Sequence, residues 1–294
     1  MTAETPRRPT PRPQFEGPHL IHRHDAAHHV WGDAAGGFVT DRVISSTDQL
    51  HVLEFELPPR GWFRHTADNP TLFAADVAYL CLTGTLVLAD PETGETALAP
   101  AGSGLYFGRD TWHHGFSLGD QTTRVIEFMS PPPSRGTAST YGRKQPLLNE
   151  VSYVDTRWAG HWPGALPEQR ASRRLLPLRV EDALLSFRDD SPEHLVHTLL
   201  DTPFLTVTRG TVQPGTVDEF RMVRDELVLR LVEGELWVDV RATAGVEPSY
   251  WVGCLRAGDA CFIPAGHEVR LLVRAHEPAI YLQGSARVPA DWLP

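Results

Sequence analysis

An all-β chain made of two copies of one barrel-like module is predicted by three observations: an internal repeat, short strand-like runs at regular spacing, and turn signals between them. The first copy reads Asp76-Val-Ala-Tyr-Leu-Cys-Leu-Thr-Gly84-Thr-Leu, followed by Tyr106-Phe-Gly-Arg-Asp-Thr-Trp-His113-His114. The second reads Glu226-Leu-Val-Leu-Arg-Leu-Val-Glu-Gly234-Glu-Leu, followed by Cys261-Phe-Ile-Pro264-Ala-Gly266-His267. A repeat constrains the fold before any single residue does. It also makes each copy a control for the other, because chemistry shows as residues present in one copy and missing from its twin. The length of 294 residues agrees with two modules of about 150 residues each.

In chain order, residues 1–17 carry Pro6, Pro9, Pro11 and Pro13 with three arginines and read as a flexible arm. Residues 18–135 form the first module. It opens with His22, His24, His28 and His29, which read as surface or edge-packing histidines. Alternating runs follow at Gly37 to Thr40, Gln49 to Leu57, Val77 to Leu82, Thr85 to Ala89, Gly104 to Phe107 and Thr123 to Met129, with Pro58-Pro59-Arg60-Gly61 and Asp90 to Gly94 as punctuation. Short strands at such spacing indicate a sandwich or barrel. Residues 136–178 read as a connector packed on both modules. In residues 179–294 the strands resume, after a short helix expected to start at Ser191-Pro192-Glu193 and to run to Leu200.

Composition narrows the partners. With 41% hydrophobic and 22% charged residues the chain is an ordinary globular protein. A net charge of -10 argues against nucleic acid or an anionic membrane as partner, since phosphates call for a clustered positive field. A small-molecule substrate is expected instead. No apolar run approaches the roughly 18 to 20 residues of a membrane span, and a cytoplasmic location is expected. Cys81, Cys254 and Cys261 show no CxxC spacing and read as reduced thiols.

Gly84, Gly234 and Pro264-Ala-Gly266 resemble the motifs of the cupin superfamily, specifically a bicupin. In that family G-x5-HxH-x3,4-E-x6-G and G-x5-PxG-x2-H-x3-N place histidines and a glutamate around a metal inside a small barrel. The resemblance spans roughly Ser46 to Pro131 and Phe204 to Pro289, and it identifies fold far better than reaction. It implies two cupin-type, double-stranded β-helix barrels. In the first, His113 takes the second-motif position, His65 the first-motif position and Asp76 the acidic one, although seven residues rather than six separate Asp76 from Gly84. Ala67 stands where the family has its second histidine.

Two imidazoles and a carboxylate form a ligand type associated with non-haem Fe(II); Zn, Mn or Ni would also accept it. The insertion after His65 leaves open that Asp76 points outward, with His65, Asp76 and His113 then lining a metal-free pocket. His114, next to His113 on a strand, is expected to face the other way. In the second module Val269 takes the histidine position, and Glu219, Glu226 and a displaced His267 are a weaker alternative set.

Trp62, Phe63, Tyr79, Phe107 and Trp112 are candidate pocket walls or plain core. Arg109 and Arg124 are candidates for holding a substrate carboxylate, with a turn ion pair between Arg109 and Asp110 as the alternative. These readings converge on a metal-dependent enzyme acting on a small organic molecule, most simply an Fe(II) dioxygenase. The alternatives are a metal-dependent lyase, isomerase or hydrolase, and a metal-free small-molecule binder. A homodimer is expected, because sheet edges need covering and the N-terminal arm is a natural strand to exchange.

Overall fold

The computed structural model describes residues 10–34, 36–64, 73, 75–91, 93–109, 111–132, 174–242 and 250–287. His65, Ala67 and Asp110 and most of the expected connector lie outside them. The first barrel contains β2 (Ala27–Asp33), β3 (Gly37–Ser46), β4 (His51–Leu57), β5 (Trp62–Phe63), β6 (Asp76–Thr83), β7 (Thr85–Ala89), β8 (Thr96–Pro100), β9 (Gly104–Phe107), β10 (His114–Ser117) and β11 (Thr123–Ser130). The second contains β13 (Leu184–Arg188), β14 (Ser191–Asp201), β15 (Leu205–Val212), β16 (Arg221–Met222), β17 (Leu227–Glu233), β18 (Glu235–Ala242), β19 (Tyr250–Arg256), β20 (Ala260–Ile263), β21 (His267–Leu272) and β22 (Ala279–Ala286).

Two further strands cross between the barrels. β1 (His19–Ile21) pairs with β20 of the second barrel, and β12 (Leu175–Leu178), expected as connector, pairs with β9 of the first. Each barrel thus has one sheet edge covered by the segment that precedes the other, which removes an exposed edge.

Three elements differ from expectation. Ser191 to Leu200 is strand, not helix: β14 is paired on both sides, with β13 and with β15. The Ser-Pro-Glu start signal is local, and two ladders outweigh it; Val196 and Thr198 are also β-branched residues that suit a strand. Residues 10–17 are packed rather than free. Arg12 reaches the Thr47 carbonyl and Asp48, the Pro13 carbonyl accepts from Ser46, and Phe15 lies against Phe262. The histidines of the opening segment are not all peripheral, since His29 faces into the first barrel.

The repeat holds at the level of ladders. β6 and β11 pair as β17 and β22 do, with a bulge at Leu82 in one and Val232 in the other. Gly84 and Gly234 close the equivalent turns at φ 73° and 81°, a left-handed backbone that favours glycine. Thr47 and Thr202 make the same turn, each hydroxyl accepting from the backbone N–H three residues on, Leu50 in one case and Leu205 in the other.

Alternation along the strands sorts side chains into three cores. Inward residues of each barrel make two of them. The outward faces of both meet in the third, where Leu80, Ile126 and Phe128 pack with Val207, Val228, Phe262 and Leu282. Gly284 allows that contact, since a Cβ there would lie 2.1 Å from the Phe128 ring.

Candidate functional site

Among the expected ligands, the structure places His113 inside the first barrel, buried against Phe63, Phe73, Tyr79 and Phe107, the last at a ring-centroid distance of 4.3 Å. His65 lies outside the described residues. Asp76 is not brought to His113. It shares a strand face with Ala78 and Leu80, which point to the seam between barrels, and its Oδ1 accepts from the Tyr106 hydroxyl at 2.9 Å. The cause is register: the position with six residues between it and Gly84 is Val77, and it is Val77 that points inward. In the twin, Glu226 likewise turns to the seam and takes a hydrogen bond from Thr47, while Leu227 points inward.

Glu219 and His267 do not join Glu226. Glu219 is exposed, and His267 Nδ1 meets the carbonyl of Ala265 at 3.3 Å. No group of three histidine, cysteine or acidic side chains suited to a metal forms among the described residues. Among the described residues, His113 is the one expected ligand that faces this interior, with Val77 where a carboxylate was expected.

The expected pocket residues divide similarly. Phe63, Tyr79 and Phe107 face the interior. Trp62 is on the outer face, 39% exposed, beneath the Arg64 guanidinium. Trp112 packs edge-on against His114, and Arg109 is exposed. Arg124 points to the seam, where Glu54 accepts from its Nη2 at 2.7 Å, so it is not placed to hold a ligand in the barrel.

What the interior holds instead is two cross-strand polar pairs. His29 on β2 stands opposite Asp41 on β3, and its Nδ1 lies 3.2 Å from Asp41 Oδ2. Tyr79 on β6 stands opposite Glu127 on β11, and the two side chains are hydrogen-bonded. Burial pushes the Glu127 carboxyl up to about 8, and the nearby Asp41 charge adds to the effect. Asp41 is also raised by burial, against the pull of His29. Burial holds His113 down at about 4, so its ring is neutral near pH 7.

These states form one consistent chain. Thr111 offers a carbonyl to His113 Nδ1 at 3.2 Å, which assigns the ring proton to Nδ1 and leaves Nε2 as acceptor. The Tyr79 hydroxyl lies 3.4 Å from Nε2 and is the donor to an ionised Glu127. Glu127 therefore holds a proton near pH 7 at one end of a polar row that runs past Tyr79 to neutral His113.

Asp41, Glu127 and His29 were missed in the sequence. The available signal was alternation: Thr123 to Met129 places Glu127 between the inward Val125 and Met129, and ladder equivalence puts Gln283 at the same place in the twin. An acid on the core face of a strand is costly unless it has work or partners.

No protein-family model and no curated protein matches the sequence. Solved structures do match in shape. An oxalate decarboxylase from Lactobacillus farciminis, in its formate complex, aligns with a TM-score of 0.60 at 14% identity, over 90% of this chain and 85% of that one. A putative glyoxylate-induced protein from Pseudomonas aeruginosa aligns at 0.62 and 14%, over 97% and 93%. AerE from Microcystis aeruginosa aligns at 0.58 and 8%, over 89% and 97%. At these identities the likeness shows the fold: an all-β cupin fold, present here as two barrels in one chain. No helix among the described residues is long and apolar enough to cross a membrane.

Proposed function

We propose that the first barrel is an enzyme site that transforms a small organic molecule by proton transfer, in the manner of a lyase or isomerase. The observation that carries this reading is the chain Glu127, Tyr79, His113, whose acid is held near neutrality inside the barrel. A group poised at about 8 can both give and take a proton at physiological pH. Protonated Glu127 would give its proton to the substrate as general acid and, once ionised, take one back as general base, while Tyr79 and neutral His113 would hold the substrate by hydrogen bonds. Burial, with the nearby Asp41 charge adding to it, keeps Glu127 protonated, and His29 pairs with Asp41. The aromatic walls Phe55, Phe63 and Phe107 would exclude water from the reacting atoms.

The test begins with a thermal-shift screen of small oxo, hydroxy and amino compounds, and the hits are then followed by proton NMR in deuterium oxide. Solvent deuterium should enter the hit, or its product, in the presence of the wild type. The rate should fall by about 10² to 10⁴ in Glu127→Gln. Equal rates in the two proteins would defeat the assignment.

A metal-dependent reading is favoured by one observation, the Mn(II) centres named for the oxalate decarboxylase of Bacillus subtilis, a fold neighbour at 13% identity. Elemental analysis of untagged protein decides it. One equivalent of manganese or iron, lost in His113→Ala, would revive metal chemistry and with it the dioxygenase alternative.

For assembly we propose a homodimer. β13 is an edge strand that exposes Leu185 at 50% and Phe187 at 51%, an apolar edge that a second copy would cover. Light scattering giving the mass of a single chain would exclude it.

A further inference from the structure

At the seam between the barrels four guanidinium groups share two carboxylates. Glu54 on β4 is 1% exposed; its Oε1 accepts from Arg23 at 2.8 Å and Arg124 at 2.7 Å, and its Oε2 from Arg230 of the second barrel at 2.6 Å. Glu56, two residues on, pairs with Arg23, with Arg42 at 2.9 Å and with Arg124 at 3.6 Å. Among the described residues, four cations against two anions leave an excess of two positive charges, in a chain whose net charge is -10.

Asp259 is engaged by His22 at 3.2 Å and by the Arg256 N–H. The guanidinium of Arg230 is 3% exposed, yet its Nε has no hydrogen-bond partner, and Arg42 Nη1 is buried without a hydrogen bond of good geometry. Burial lowers the pKa of Arg230, and the positive charges of Arg124 and Arg23 work in the same direction despite Glu54.

Packing two such barrels does not require this arrangement. By ladder equivalence the twin has Arg209 where Glu54 stands, Ile280 in place of Arg124 and Leu80 in place of Arg230. The rim is open to solvent, with side-chain exposures of 34% for Arg23, 28% for Arg124 and 16% for Arg42. Planar guanidiniums around a partly desolvated opening are suited to bidentate contact with an oxyanion.

We propose that this seam is a binding site for a small oxyanion, a phosphate or a carboxylate, held by Arg23, Arg42 and Arg124 over the Glu54 and Arg230 base. Its donors belong to the first barrel and its base includes Arg230 of the second, so an occupied site sits on the ion pair that joins the two. This assignment is independent of the chemistry inside the first barrel.

The test uses thermal unfolding of the full chain with inorganic phosphate, with malonate, and with sodium chloride at matched ionic strength. Arg42→Gln serves as the main variant because, among the described residues, Arg42 has its ion pair with the partly exposed Glu56 and none with the buried Glu54; near-UV circular dichroism checks that it is folded. Glu56→Gln serves as a second, since it adds to the positive excess. Phosphate or malonate should raise the midpoint by several degrees over chloride in the wild type, by more in Glu56→Gln, and by less than half as much in Arg42→Gln. A larger rise with phosphate assigns the site to phosphoryl ligands, and a larger rise with malonate to carboxylates. Equal midpoints in all three salts, or a rise unaffected by Arg42→Gln, would overturn the site and reduce the cluster to a screened ion-pair node.

Discussion

The two barrels share a backbone and differ in where they place polarity. In the first, the interior polar residues include, besides His113, the pairs His29 with Asp41 and Tyr79 with Glu127, and the equivalent positions of those pairs in the second hold Ser186, Val196, Leu229 and Gln283. In the second, His194 is fully buried between Asp218, at 2.9 Å from Nδ1, and the Tyr281 hydroxyl, at 2.9 Å from Nε2. Arg188 adds a contact of 3.3 Å to Asp218. The positions of His194, Asp218 and Tyr281 are held in the first barrel by Val39, Phe63 and Val125 respectively.

The second network is closed: every charge has an opposite partner, as a buried structural network requires. The first sets two acids near each other with one histidine between them. That imbalance, more than polarity as such, separates a reactive interior from a structural one.

The largest effect is expected from breaking the closed network. Asp218→Ala should cost about 3 to 5 kcal/mol, because it leaves His194 and Arg188 without their carboxylate. Denaturant unfolding measures the loss. A cost below about 1 kcal/mol would show that the second network is no tighter than the first, and the contrast between the barrels would fail.

Giving the first barrel its twin's residue sharpens the same contrast from the other side. Glu127 has a folded pKa of about 8, raised above the ordinary 4.5. The folded state therefore binds more protons than the unfolded chain between those values, and stability should fall as pH rises through that window. Glu127→Gln keeps the hydrogen-bonding shape without the charge. Its stability should stay flatter from pH 5 to 9, exceeding wild type at the alkaline end by a few kcal/mol. Parallel pH profiles for the two proteins would place the titration elsewhere.

Volume is exchanged between the copies as polarity is. Phe55 stands opposite Val125 in the first barrel, whereas Gly210 stands opposite Tyr281 in the second, so the large ring moves from one strand to its neighbour. A Cβ on Gly210 would meet the Tyr281 ring at 2.1 Å. Gly210→Ala should cost about 1 to 3 kcal/mol by overpacking. Equivalent Phe55→Leu leaves slack instead of a clash, so calorimetry on the two variants should show whether the swap is one of volume alone.

Much of this was readable in the chain. Gly84 and Gly234 marked equivalent turns, and alternation placed Tyr79 and Phe107 inside. Ladder pairing was not readable from Ser191-Pro192-Glu193, whose local helix signal gives way to pairing with β13 and β15. Nor could spacing settle Asp76: a shift of one residue turns a strand position from core to seam, and the insertion after His65 hid that shift. Asp41 and Glu127 were obscured for a different reason, since an acid within a strand ordinarily reads as its solvent face.

The smallest effect separates two adjacent aromatics that composition treats alike. Phe63 faces the interior of β5, with Gly115 opposite leaving room for its ring, and Phe63→Ala should cost about 3 to 5 kcal/mol. Trp62 is turned outward opposite Phe116, and its equivalent in the second barrel is Val217, itself 60% exposed. The twin thus tolerates a small side chain at that place. Trp62→Ala should change stability by less than about 1 kcal/mol and leave deuterium incorporation by the first barrel unaltered. A loss of incorporation at unchanged stability would mean that the outer face of β5 takes part in the site, and the boundary drawn between wall and surface would move to include it.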